Sequence, residues 1–174
     1  MIWPFSKPRK PMVFDLIPHT GMVPIQLGAK RDNVMAVMKA LGHVPSAVQD
    51  TAEHLRNLSV EPPASSAGGS LYFIENCLQV EFDGNHRATF IGLAPHRGVE
   101  LRYQGQDILT RPADEVFQIL AGNEASPAPA FNPNEVLFSD QILTLWEADP
   151  QYDPHGERYP VWGQIGIGGK AYLE

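Results

Sequence analysis

Two stretches of similar pattern decide the fold of this chain: DNVMAVMKALG at residues 32–42 and DEVFQILAG at residues 114–122. In the first stretch, apolar residues recur from Val34 to Leu41 at spacings of three and four, which places them on one face of an α-helix. Acidic residues begin both stretches, where the helix dipole favours negative charge. The pattern therefore predicts two short amphipathic helices.

The two stretches also correspond to each other at a constant offset of 82 residues, which aligns Val34 with Val116. Each stretch ends at a glycine, Gly42 in the first and Gly122 in the second. Glycine is the residue that most often adopts the left-handed conformation just beyond a helix. We therefore expect a left-handed C-cap at both positions, and we interpret the correspondence as a weak internal repeat.

Strands are predicted after each helix. A connection rich in Pro, Ser, Gly and Ala follows the first helix at roughly residues 43–70 and the second at roughly 122–134. Alternating or continuous apolar segments then begin, which is typical of strands. These segments are 71–75, 78–82 and 86–92 in the first half, and 136–138, 142–146 and 160–166 in the second. Asn76 and Cys77 separate the first two segments, which predicts a two-residue hairpin.

The order of these elements predicts the fold class α+β. Each half would form one pseudo-repeat, a short helix followed by a three-stranded antiparallel meander, at about residues 12–94 and 98–173. The two meanders would form an antiparallel sheet with the helices on one face. We expect one domain over residues 1–174, with residues 1–11 as a flexible leader, because 174 residues is the usual size of a single domain.

Composition predicts a cytoplasmic protein. No segment approaches the roughly 20 apolar residues needed to cross a bilayer. The short apolar run at the N-terminus precedes its basic residues, whereas an export signal has the opposite order. The chain has one cysteine, Cys77, so no intrachain disulfide can form and an oxidising compartment is not implied.

Charge is unevenly distributed along the chain. Residues 1–31 contain five basic side chains and one acid, whereas the remaining residues contain eight basic and nineteen acidic side chains. An acidic body repels phosphate backbones, so we expect no nucleic-acid partner. It attracts a basic protein partner instead. Simple solubility remains the alternative explanation of the acidic charge.

No residue pattern predicts a catalytic site. The six histidines do not occur at metal-binding helical spacing, and the chain lacks a nucleophile elbow and a serine–lysine pair. We therefore expect a non-enzymatic protein with no cofactor and no metal. One alternative stays open, since Asp153, His155 and Glu157 alternate and could face one way in an extended segment. That arrangement would suit a small hydrolase or a metal enzyme.

Aromatic and acidic residues cluster in the last third of the chain. From Glu135 to Glu174 there are seven acids and two basic residues. Aromatic side chains surrounded by charge of one sign are common at protein interfaces. The predicted partner-binding residues are Trp146, Glu147, Asp149, Tyr152, Asp153, Glu157 and Tyr159. For Trp146 and Trp162, a place in the hydrophobic core is the alternative.

The segment GMVPIQLG at residues 21–28, followed by DNV at 32–34 and LG at 41–42, resembles the start of several bacterial families. The same pattern followed by a meander occurs in outer-membrane-assembly lipoproteins and, in tandem, in β-lactamase-inhibitor-like proteins. Small cytoplasmic immunity proteins that neutralise antibacterial toxins are also similar. The lipoproteins need an N-terminal cysteine and the exported inhibitors usually carry disulfides, so the resemblance implies the immunity type.

Two functional hypotheses follow from these observations. The first is an immunity protein that binds a cognate antibacterial toxin with a basic surface and blocks it by occlusion. The second is a structural or assembly module that binds a house-keeping protein or associates with itself. No membrane partner is expected under either hypothesis.

Overall fold

A computed structural model describes residues 10–49, 58 and 67–173 of the chain. Most of the predicted leader, and most of the connection between residues 50 and 66, lie outside the described residues. Within these residues the α-helices are α1 (Arg31–Ala40) and α2 (Ala113–Ala121). The strands are β1 (Met12–Ile17), β2 (Gly21–Val23), β3 (Ile25–Gln26), β4 (Ala47–Gln49), β5 (Ser70–Phe73), β6 (Leu78–Phe82), β7 (Ala88–Leu93), β8 (Val99–Tyr103), β9 (Gln106–Asp107), β10 (Glu135–Phe138), β11 (Leu143–Asp149) and β12 (Val161–Gly168).

The strands form two sheets, and the fold class is α+β. The first sheet has five strands in the order β3-β2-β1-β8-β9, and the second has seven in the order β10-β11-β12-β7-β6-β5-β4. Neighbouring strands are antiparallel except β1 and β8, which are parallel, with Phe14 opposite Leu101. The sequence predicted one antiparallel sheet. The structure has two sheets because β1 and β8, at the start of each half, pair with each other and form a sheet separate from the later strands.

Both helices bury one apolar face, as their spacing predicts. Val34 and Met38 of α1 are fully buried, and Leu41, just beyond the helix, is 41% exposed. On α2 the buried side chains include Val116 and Leu120. The apolar stripe therefore ends one turn earlier on α1 than the sequence suggested.

The two helix ends differ from each other. Gly42 has a φ of 85°, which confirms the predicted left-handed conformation. Gly122 has a φ of −65° and is right-handed, so that part of the prediction is wrong. The reason is that side chains take over the capping role: Asn123 Nδ2 donates to the Ile119 carbonyl oxygen at 2.8 Å, and Gln141 Nε2 donates to that of Leu120 at 3.0 Å.

The hairpin between β5 and β6 is longer than predicted. Strand β5 ends at Phe73, so the loop is residues 74–77 instead of the two residues Asn76 and Cys77. Ile74, Glu75 and Asn76 all have positive φ angles, between 53° and 67°. Three successive left-handed residues other than glycine have no simple signature in a sequence, which explains the error.

One hydrophobic cluster joins both helices and both sheets. The predicted alternation in β6 is confirmed, since Leu78, Val80 and Phe82 are fully buried. Trp162 of β12 is also buried, and its indole N–H donates to the Ala113 carbonyl oxygen at 2.9 Å. This bond ties α2 to the seven-stranded sheet. The core alternative is therefore correct for Trp162, but Trp146 is 49% exposed.

Candidate functional site

Strand β11 is distorted at Glu147, next to the exposed Trp146. Glu147 has a φ of 47° inside the strand. The amides of Glu147 and Ala148 both donate to the preceding segment, to the carbonyl oxygens of Asn134 and Pro133 at 2.8 and 2.7 Å. In a regular strand two successive amides point to opposite sides, so this pair marks a local distortion, although the register with β12 is the same before and after Glu147. Trp146 follows buried Leu145 and therefore points to the opposite, outer face of the sheet, and pairing with β12 continues at Ala148 and Asp149.

Tyr152 lies beside Trp146, with ring centroids 6.3 Å apart. A single turn of 3-10 helix, Pro150–Tyr152, carries it, and the Asp149 carboxylate caps that turn by accepting from the Gln151 amide at 2.8 Å. The ring lies against the bare backbone of Gly163, where a Cβ atom would be 2.8 Å from Tyr152 Cε2. Glycine at this position therefore lets the tyrosine pack flat on β12.

The hydroxyl of Tyr152 donates to Glu147 Oε2 at 2.6 Å. That hydrogen bond, together with lost hydration and the charges of Glu147 and Asp149, raises the pKa of Tyr152 to about 12. The cause is direct, because ionising the phenol would place two negative charges in contact. Trp146, Glu147, Asp149 and Tyr152 thus form one ordered group, called here the Trp146 surface.

Asp153 is buried and does not belong to this surface. It is 4% exposed, and its carboxylate accepts from Arg158 Nε at 2.9 Å and from the amides of His155 and Arg158 at 2.9 and 3.1 Å. The hydrogen bonds from Arg158 hold the pKa of Asp153 at about 2, below its ordinary value. Asp153 therefore holds the loop closed, and a partner could meet it only through Arg158.

Glu157 and Tyr159 lie on the far side of the same loop. Glu157 is exposed, with a φ of 56°, and Tyr159 is half-buried. The Arg158 guanidinium lies over the Tyr159 ring, 4.9 Å from its centroid, and the Tyr159 hydroxyl donates to the Thr110 carbonyl oxygen at 3.1 Å. These contacts anchor the loop to the segment before α2. The structure therefore brings four of the seven predicted residues into the Trp146 surface and places the other three in the supporting loop.

The negative charge of the Trp146 surface is not neutralised locally. Among the residues that the structure describes, Glu147, Asp149 and Glu157 have no basic side chain within ion-pair distance. The ion pair in this region joins Arg158 to Asp153. A field of one sign next to exposed aromatic rings favours a donor-rich, positively charged partner.

Three further polar residues, Gln164, Gln79 and Glu81, are connected by hydrogen bonds in a row that starts opposite Trp146. Gln164, opposite Trp146 in the sheet register, donates from Nε2 to Gln79 Oε1 at 3.1 Å. Gln79 in turn donates from Nε2 to Glu81 Oε1 at 2.8 Å. Gln79 and Glu81 alternate with buried Leu78 and Val80 in β6, so the sequence pattern could place both on the outer face of the sheet. It could not predict the contact of Gln79 with Gln164.

The alternative metal-ligand set of Asp153, His155 and Glu157 is not assembled in the described part of the chain. The Asp153 oxygens accept hydrogen bonds within the loop, and the His155 and Glu157 side chains are exposed. Across residues 10–49 and 67–173, no three His, Cys, Asp or Glu side chains come close enough together to hold an ion. The arrangement stabilises the loop and offers no shared ligand set.

Comparisons with known proteins do not identify a family for this chain. No family model matches it, and neither does a curated protein or a solved structure. Within the described part of the chain, neither helix has the length and apolar character to span a membrane. Function is therefore inferred below from the side chains that the surface presents.

Proposed function

We propose that this protein is an immunity protein that binds a basic antibacterial toxin through the Trp146 surface and neutralises it by occlusion. The observation that carries the proposal is an exposed tryptophan, 49% accessible, packed beside a tyrosine and surrounded by carboxylates without local cations. Large exposed aromatic side chains of this kind contribute most of the binding energy at many protein interfaces.

The rigidity of the surface supports the proposal. Tyr152 is held by the 2.6 Å hydrogen bond to Glu147 and by its contact with Gly163, and Asp149 caps the turn that carries it. A surface that is already ordered loses little conformational entropy when a partner binds. Tight inhibition of a toxin requires this property, because the complex must persist while the toxin is present.

A non-enzymatic role agrees with the chemistry of the same residues. Asp153 and Tyr152 have shifted pKa values, but both shifts come from hydrogen bonds within the loop, to Arg158 and Glu147. The pKa of Asp153 is lowered to about 2 and that of Tyr152 is raised to about 12, so neither group exchanges a proton readily near pH 7. Binding is the activity that this surface suits.

We further propose that the chain consists of two pseudo-repeats, residues 12–94 and 98–173. In support, each half contributes strands to the five-stranded sheet, then a helix, then consecutive strands to the seven-stranded sheet, four (β4 to β7) from the first half and three (β10 to β12) from the second. The equivalent strands β1 and β8 pair with each other, as do β7 and β12. Val34 and Val116, at equivalent helix positions, are both buried.

A co-expression assay tests the proposed function. Each gene adjacent to the gene for this chain is expressed in a sensitive bacterium, with and without the chain, and survivors are counted. We expect protection by the wild type and by Ile17→Ala, a control that removes a 44% exposed apolar side chain from the other sheet. Trp146→Ala should not protect.

Two outcomes contradict the proposal. In the first, no adjacent gene product is toxic and the chain protects against none of them. In the second, Trp146→Ala protects as well as the wild type. A stable dimer in light scattering together with the first outcome would favour a structural or assembly module.

A further inference from the structure

The outer face of the seven-stranded sheet carries a half-buried carboxylate, that of Glu81. Because Val80 and Phe82 of β6 point into the core, Glu81 points to the opposite face. Its side chain makes no ion pair with the described residues of the chain. Burial raises the pKa of Glu81 above the ordinary carboxyl value, which agrees with a charge that lacks a cation.

A row of hydrogen bonds ends on this carboxylate. An ionised carboxylate only accepts, so Gln79 must turn its amide NH2 group toward Glu81 Oε1, 2.8 Å away. Gln79 Oε1 then accepts from Gln164 Nε2 at 3.1 Å, and the amide oxygen of Gln164 faces away from the row. The row therefore has an acceptor at each end, the second Glu81 oxygen and the Gln164 amide oxygen.

Glycines allow these side chains to lie flat across the sheet. A Cβ atom on Gly92 would be 2.6 Å from Gln164 Cδ, and one on Gly166 would be 2.4 Å from Phe90 Cζ. Gln164 and Phe90 therefore occupy the space above these two glycines.

Aromatic rings surround the carboxylate. Phe90 is directly opposite Glu81 in the sheet register and stacks on Tyr172, with centroids 5.1 Å apart. Tyr72 of β5 is opposite Gln79. Burial and, secondly, the charge of Glu81 raise the pKa of both Tyr72 and Tyr172, which places these rings within electrostatic reach of the carboxylate. Carboxylate and aromatic rings together form a cation-binding environment.

We propose that Glu81 binds the guanidinium group of an arginine that the basic partner inserts at the outer face of the sheet. The identity of that partner rests on the proposed function, since the hydrogen-bonded row joins Glu81 to the Trp146 surface. A guanidinium fits this site because it pairs with a carboxylate through two parallel hydrogen bonds and stacks on aromatic rings. A lysine ammonium is a strongly hydrated point charge and lacks this planar match.

The protein uses the same combination internally. Arg158 donates to the Asp153 carboxylate at 2.9 Å while its guanidinium lies over the Tyr159 ring. Arg31 makes the ring contact alone, since its guanidinium lies over the Phe82 ring, 5.5 Å from the centroid, and donates to the Gly68 carbonyl oxygen. At Glu81 the carboxylate and the rings are present, and the arginine comes from the partner.

A peptide titration tests this site without the natural partner. The full chain, labelled with ¹⁵N, is titrated with hexa-arginine and, separately, with hexa-citrulline, which has the same shape without the charge. We expect shifts of the amide signals of Gln79, Glu81, Phe90 and Gln164 with hexa-arginine only. Glu81→Gln should weaken binding about tenfold, the effect of losing charge-assisted hydrogen bonds.

The matched control is Glu115→Gln, which removes the same charge from an exposed position on α2. It should change the affinity less than about twofold, because exposed charges contribute little. Equal weakening by both substitutions would show general attraction to an acidic protein and would overturn the proposal. Amide shifts that occur outside β6 and β12 would also overturn the proposal. The same holds if the chain forms a dimer that Glu81→Gln dissociates, since a second copy would then occupy this face.

The result separates this inference from the proposed function. If peptide binding depends on Glu81 but no toxin is neutralised, the site exists and the proposed function fails. If Trp146→Ala abolishes protection while Glu81→Gln leaves both the peptide affinity and the protection unchanged, the proposed function stands and the arginine site is wrong.

Discussion

Replacing Asp153 by asparagine should loosen the loop that supports the Trp146 surface. The Asp153 side chain is fully buried and accepts from Arg158 Nε and from two backbone amides, those of His155 and Arg158. Asparagine has the same shape, but its NH2 group would replace one oxygen and face a donor. The substitution therefore removes the ion pair and leaves hydrogen-bond donors unpaired without creating a cavity.

The expected loss of stability follows from the pKa of Asp153. A folded-state value of about 2 against an unfolded value of about 3.9 corresponds to about 2.6 kcal/mol at pH 7. The Arg158 side chain is 48% exposed, so solvent weakens the interaction. We therefore expect Asp153→Asn to lower the free energy of unfolding by roughly 1–2 kcal/mol at pH 7.

Urea unfolding from pH 7 to pH 3 measures this loss and its pH dependence. Since the folded-state pKa is lowered, the stabilisation is fully present above the unfolded pKa of about 4 and is lost as pH falls toward 2. The difference between Asp153→Asn and the wild type should therefore shrink below pH 4. Asp15→Asn, on an exposed position of β1, is the control and should change little. A difference that stays constant down to pH 3, or is below about 0.3 kcal/mol at pH 7, would refute the reasoning.

Three further predictions concern neighbouring side chains. Gly163→Ala should displace Tyr152 from β12, lower stability by about 1–3 kcal/mol as overpacking does, and change the fluorescence of Trp146; urea titration and emission spectra measure both effects. Tyr152→Phe should lower the free energy of unfolding by about 1 kcal/mol, because it removes the hydrogen bond to Glu147. In ¹³C NMR of labelled tyrosine, one ring signal should titrate near pH 12 in the wild type and be missing in the variant. Glu81→Gln should stabilise the protein at pH 7. Because burial raises the folded-state pKa of Glu81, its ionised carboxylate destabilises the fold above the ordinary glutamate pKa. Denaturation at pH 7 and below pH 4 should therefore show a higher free energy of unfolding for the variant at pH 7 alone.

The helices and most strand segments could be predicted because their signals are local. The spacing around Val34 and Val116, and the alternation from Leu78 to Phe82, each reflect burial of one face of a single element. The division into two sheets could not be predicted in the same way. It depends on the pairing of Met12 with Val99, which are far apart in sequence and carry no local mark of that contact.

The candidate site was predicted in part for a related reason. Composition indicated an aromatic and acidic cluster, and Trp146 and Tyr152 do lie together at the surface. Composition could not show that Asp153 is buried, because its burial depends on a hydrogen bond to Arg158 and on the path of the loop. The contact between Gln164 and Gln79 joins residues 85 positions apart, beyond the range of any sequence pattern.

Calorimetric titration with the toxin identified by co-expression measures whether the Trp146 surface binds a basic protein. We expect tight binding to the wild type, a dissociation constant raised about thirtyfold or more by Trp146→Ala, as for a hot-spot residue, and no change for Ile17→Ala. An unchanged dissociation constant for Trp146→Ala, or a partner whose contact surface is acidic, would contradict this expectation.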